Sequence, residues 1–169
     1  MMFSTIRALV GWAFQMNEAI PVKSARYGEF SAPAFGGMSP GELKDMAVDI
    51  LAKIRRLPEA EQAAIAAYFT GDIRAINAAA DLLPAGWPTA LRRELARGWA
   101  NGEQLARSQE LIGETFMLSQ RTAGRRWGEA KRALGIRMQA GLDVLELLLM
   151  DYIRHPSYKN MHRNACIAA

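Results

Sequence analysis

Between positions 119 and 132 the chain carries a run of side chains suited to contact with a nucleic-acid duplex. They are Ser119, Gln120, Arg121, Thr122, Arg125, Arg126, Lys131 and Arg132. In the major groove an arginine fork pairs with the edge of guanine, and a glutamine amide pairs with the edge of adenine. Lys131 and Arg132 fall further along, where cations grip phosphates and set register without reading sequence. From Ser119 to Arg137 there are six basic residues against one acid, Glu129.

These residues act together only if a helix presents them on one open face. The stretch 109–134 reads as two helices joined by a tight corner, the second much the more basic. Ile112 followed by Gly113 supplies an apolar and then a small residue late in the first helix, where a second helix must cross closely. Phe116 and Leu118 flank the corner. Ser119 is a good N-cap, because its hydroxyl accepts a bond from an amide otherwise unpaired at the helix start. Ala123 then faces inward, which leaves Gln120, Arg121, Thr122 and Arg125 outward. This is the pattern of a helix-turn-helix over about 106–134. It departs from the ideal in two places. Met117 stands where the corner usually has glycine and so calls for a left-handed backbone. Arg126 occupies a position more often apolar, and Trp127 is expected to fill the core there instead. The competing reading is an amphipathic helix whose basic face is merely solvated.

The chain has 169 residues and is half apolar, enough to build a core. A net charge of +4 permits a nucleic-acid partner without demanding one. The basic residues gather from Arg92 onward, whereas 41–81 is nearly balanced. The one cysteine, Cys166, excludes an internal disulfide and, with only His155 and His162 beside it, leaves no zinc site. No metal or other cofactor is expected, and a reducing cytoplasm is the natural location. The apolar opening lacks a cleavage site and is too short to span a bilayer, so it reads as a core helix and no membrane is implied. The last four residues formally match a prenylation signal, which is discounted as a chance match. Catalysis is not expected either: there is no phosphate-binding glycine loop, no ligand cluster, and no histidine outside the tail to act as a base. The acid pairs Asp45/Asp49 and Asp143/Glu146 read as solvated helix surface.

The remaining periodicity predicts an all-α fold, a compact multi-helix domain containing the helix-turn-helix. Ile6, Leu9, Val10, Ala13 and Met16 mark a helix over about 5–19, widened by Trp12 and Phe14. Residues 20–39 are rich in proline, glycine and serine and read as a long irregular segment, either a loop whose Lys23, Arg26 and Tyr27 touch nucleic acid or a protein partner, or a disordered connector. Residues 1–38 therefore form an N-terminal helix plus loop. A helical body follows over 39–155, and 156–169 is a polar tail. Ser39-Pro40-Gly41-Glu42 is a capping box with proline at the first helical position. Pro58 is placed in the first turn of the next helix. Ile73, Ile76 and Ala80 face inward from a helix over 72–83, and Leu91, Leu95 and Trp99 share a face over 88–98. Gly135 is taken as a C-cap. A last helix over about 137–155 has a stripe of Met138, Leu142, Leu145, Leu149, Tyr152 and Ile153. Val144, Leu147, Leu148 and Met150 broaden that stripe, so deep burial is expected, within the chain or across a homodimer.

Two segments together carry a resemblance. Leu57-Pro58-Glu59-Ala60-Glu61, leading into Ile65 and Tyr68-Phe69, resembles the helix that opens region 4 of bacterial sigma factors. The stretch 109–134 resembles the helix-turn-helix that closes that region. Sigma factors hold the two pieces close together, and here they stand far apart, which argues against a sigma factor. A small, basic, helical chain with such a pair and a Trp-bearing N-terminal helix is similar to the Q-type antitermination proteins of lambdoid phages. The resemblance is diffuse over about 41–149. It implies binding to double-stranded DNA near a late promoter, then loading onto paused bacterial RNA polymerase that still carries its sigma factor, so that terminators are bypassed in the host-cell cytoplasm. Some relatives carry zinc; this chain lacks those ligands and would fall in the zinc-free branch. By position the family's DNA-reading role would fall on Ser119, Gln120, Arg121, Thr122 and Arg125. Two further expectations compete: a plain transcription activator, and a DNA-binding phage assembly protein such as a small terminase subunit, which also joins a helix-turn-helix to oligomerising helices.

Overall fold

The computed structural model describes residues 3–18 and 39–153. Over these residues the chain is all-α, with helices α1 Ile6–Glu18, α2 Pro40–Ile54, α3 Glu59–Thr70, α4 Ile73–Asp81, α5 Thr89–Ala100, α6 Gln109–Thr115 and α7 Gln120–Leu148. A 3-10 turn, Met150–Tyr152, follows α7. The loop expected over 20–38, with Lys23, Arg26 and Tyr27, and the tail with His155, His162 and Cys166 lie outside the described residues. Packing divides the chain into two units, one of residues up to Lys53 and from Leu145 on, the other Ile54–Val144.

In the first unit α1 buries Ile6, Leu9, Val10 and Ala13, one helical stripe. Phe3 packs on Trp12 with ring centroids 5.3 Å apart, and its amide donates to the Tyr152 carbonyl at 2.8 Å. The start of α2 is set by the four residues the sequence marks. The Ser39 amide donates to Glu42 Oε2 at 2.6 Å, and the Glu42 amide donates to Ser39 Oγ at 3.3 Å, a reciprocal capping box. That bond to the Ser39 amide holds the Glu42 carboxyl below the ordinary glutamate range.

In the second unit α3, α4 and α5 pack in succession. Tyr68 of α3 lies against Trp99 of α5 with centroids 5.3 Å apart. Asp72 caps α4 by accepting from the amides of Arg74 and Ala75 at 2.8 and 3.2 Å. Arg92 reaches back from α5 to the Ala80 carbonyl and to Asp81, both at 3.3 Å, placing a cation at the negative end of α4. Helix α7 passes close to α3 where Gly141 leaves room. A β-carbon there would lie 2.8 Å from Ile65 Cδ1 and 3.2 Å from Glu61 Cβ.

Four expectations are corrected. Gly135 does not end a helix: 120–148 is one continuous α7. An interior glycine costs about 1 kcal/mol, and the buried series Ala130, Leu134, Met138, Leu142 and Leu145 runs straight past it. The helix then stops at Leu148. Its C-terminal part is not buried all round. Val144, Leu147, Leu148 and the following Met150 are exposed, Leu147 by 71%, because Leu147 stands about 200° round the helix from buried Leu145. Ile73 is exposed rather than inward. It is the first residue of α4, and its side chain leans past the helix start, where no turn covers it. Pro58 is the N-cap of α3 rather than part of its first turn.

Candidate nucleic-acid interface

The corner between α6 and α7 follows from a few local choices. Ser108 caps α6, its Oγ accepting from the Leu111 amide at 3.2 Å. At the other end the Leu118 amide donates to the Gly113 carbonyl at 2.8 Å, and the Met117 amide to the Glu114 carbonyl at 3.3 Å. Those paired bonds are a Schellman ending, which needs a left-handed residue at the position Met117 holds. Met117 takes it, with φ 52° and its side chain 97% exposed. Ile112 and Gly113 are buried, as the close crossing requires.

Helix α7 then starts on Ser119, whose Oγ accepts from the Thr122 amide at 3.2 Å. The Thr122 hydroxyl lies 2.9 Å from the same oxygen, so both hydroxyls are tied into the cap. Ala123, Trp127, Ala130 and Leu134 are buried, Trp127 filling the core beside Arg126 as expected. At 100° per residue Arg121, Arg125, Gly128 and Arg132 fall within about 60° of one another on the opposite side. The three arginines are exposed and span about 16 Å of helix axis. Gln120 is exposed at the helix start, and among the described residues neither it nor Arg121 has a side-chain partner. Arg125 lies 3.7 Å from Glu129 in an open i, i+4 pair, an interaction weak enough to exchange for a phosphate or base.

Two of the eight residues expected at the site stand elsewhere. Arg126, about 140° round the helix from Arg121, is half-buried with its guanidinium 5.4 Å from the Trp87 ring centroid, and its Nη1 is buried without a partner. Lys131 lies 3.4 Å from Glu103 and 5.3 Å from the Trp127 ring. The structure therefore gathers Arg121, Arg125 and Arg132 on one face, leaves Gln120 exposed at the helix start about 100° round from Arg121, makes Ser119 and Thr122 the cap, and sets Arg126 and Lys131 against the core and its flank.

A second basic feature lies on α5 and had no signal beyond the i, i+4 spacing of Arg93 and Arg97. Arg107 is fastened across to α5: its Nε donates to Glu94 Oε1 at 2.7 Å, its Nη2 donates to Glu94 Oε2, and its Nη1 donates to Thr115 Oγ1 at 3.0 Å. The pair holds the Arg107 pKa above its ordinary value. Among the described residues no group of three His, Cys, Asp or Glu is placed to hold a metal ion, and no helix is long and apolar enough to cross a membrane. Comparison with protein-family models, with curated proteins and with solved structures gives no match.

Proposed function

We propose that this chain is a sequence-specific, DNA-binding transcription regulator that reads the major groove with the start of α7. The observation that carries the reading is the exposed face of Arg121, Arg125 and Arg132, with Gln120 exposed at the helix start, set behind a capped, glycine-permitted corner. Arg and Gln at the first turn of such a helix are the side chains that pair bidentately with guanine and adenine edges. Arg132 three turns on is suited to a phosphate.

The sharper form of the proposal is a phage or prophage antitermination factor. In it the protein binds near a late promoter and modifies paused RNA polymerase, with its sigma factor, to read through terminators in the bacterial cytoplasm. That form rests on the sequence resemblance of 57–69 and 109–134 to sigma region 4. Selection of bound duplexes from a random pool, then transcription in vitro on a template joining the recovered site to a promoter and an intrinsic terminator, tests it. Read-through that depends on the site supports antitermination. More initiation with unchanged termination supports a plain activator.

One observation favours a second reading, a DNA-binding assembly protein such as a small terminase subunit. Leu147, Leu148 and Met150 are exposed, and a second copy of this chain would cover them. A ring-sized oligomer in light scattering, with no effect on transcription, supports that reading over the first.

A further inference from the structure

Beside the corner the second unit has a cleft of about 630 Å³, with α5 on one wall and residues 104–107 on the other, closing at Thr115 and Phe116. Gly98 makes it possible. A β-carbon there would lie 2.8 Å from Leu105 Cδ2 and 3.3 Å from the Gln104 carbonyl, so the missing side chain lets this segment fold back closely against α5.

The charge in the cleft is uneven. Of its lining ions, Arg107 and Glu94 neutralise each other. Arg93 and Arg97 remain, both exposed, with no ion pair or hydrogen bond among the described residues. Like charges at i and i+4 oppose each other on a helix. The helix dipole accounts for one cation in the last turn of α5, Arg97, but not for Arg93 a turn earlier. An anion between them would relieve the repulsion, and the Asn101 and Gln104 side chains on the rim offer amide donors to it.

We infer that Arg93 and Arg97 grip a phosphate of the nucleic-acid backbone, extending the contact made by α7. The inference rests on the proposed DNA-binding reading and adds a second, non-reading anchor to it. Reach supports it. Three residues separate Phe116, at the cleft's end, from Gln120, the first residue of α7, a distance of at most about 14 Å along the chain. The major groove is about 12 Å wide, so the cleft's end lies no further from the start of α7 than about the width of the groove that α7 would enter.

The test uses the full chain and a fluorescent duplex carrying the selected site, with affinity measured across a salt series. Arg93→Ala/Arg97→Ala should weaken binding on the order of ten-fold, equally on selected and unrelated duplexes, and flatten the slope of log affinity against log salt by about 0.9. Arg93→Lys/Arg97→Lys should restore most of the slope, since lysine serves a phosphate as a point charge. The thermal unfolding midpoint of neither variant should fall, because neither arginine has a partner to lose. If wild type binds the duplex and the alanine variant keeps its affinity and slope, the anchor is overturned while the DNA reading stands. If wild type binds no duplex, both fall. Saturation of the Arg93 and Arg97 side-chain signals by ATP or inorganic phosphate, or by a polyglutamate peptide, with the duplex slope unmoved, would reassign the cleft to a free phosphate ligand or to an acidic protein and overturn the inference.

Discussion

The carbonyl oxygen of Leu118 lies 2.7 Å from where a β-carbon on Gly113 would sit, while the Leu118 amide donates to the Gly113 carbonyl at 2.8 Å. One residue thus closes α6 by its backbone and admits the corner by its missing side chain. Gly113→Ala puts carbon against backbone that cannot step aside, and a loss of about 1–3 kcal/mol is expected in urea unfolding. Gly124→Ala is the contrast. Its β-carbon would meet only the tip of Gln109 at 2.7 Å, which can swing away. The gain in helix propensity then makes that variant neutral or slightly more stable.

Met117 strains the same corner from the other side. An L-residue in the left-handed region costs roughly 1–2 kcal/mol, and glycine gives back about 0.5–1 kcal/mol of that through its freer unfolded chain. Met117→Gly should therefore stabilise the protein by about 0.5–1 kcal/mol, read as a higher unfolding midpoint. The side chain it removes is exposed and contributes nothing to the core.

Acid should loosen the start of α2. Glu42 titrates below the ordinary glutamate range in the folded chain because it accepts from the Ser39 amide. A carboxyl with a depressed folded pKa contributes stability that is present above its unfolded pKa and lost as pH falls through the folded one. The protection factor of the Ser39 amide, its exchange corrected for the intrinsic pH dependence, should fall on acidification over that window, and Glu42→Gln should remove most of that fall.

Arg126 and Arg121 should behave differently although both are arginines of one helix. Arg126→Ala removes the cation over Trp87 and is expected to cost stability, on the order of 1 kcal/mol, while base preference is kept. Unfolding and duplex selection on the same variant check both halves.

Much of this was legible in the residues, and the limits have physical causes. Capping boxes and corners are local: Ser39 with Glu42, Ser119 with Thr122, and Gly113 with Leu118 are each fixed by neighbours within five positions. The α5 cleft is not local. It exists because Arg107 reaches Glu94 thirteen residues away and because Gly98 admits Leu105, and neither contact has a sequence signature. Gly135 misled because its local cost is outweighed by the buried series on either side of it. Leu147 misled because an apolar residue announces a preference for burial, not the presence of something to bury it.

Arg121 and Arg125 carry the central claim, and the discrimination between the selected duplex and an unrelated one tests it most directly. Arg121→Ala and Arg125→Ala should each lower that discrimination by about 1–3 kcal/mol, relaxing preference at one or two base pairs and leaving most of the affinity for unrelated DNA in place. Wild-type discrimination and an unaltered footprint in both variants would contradict the account.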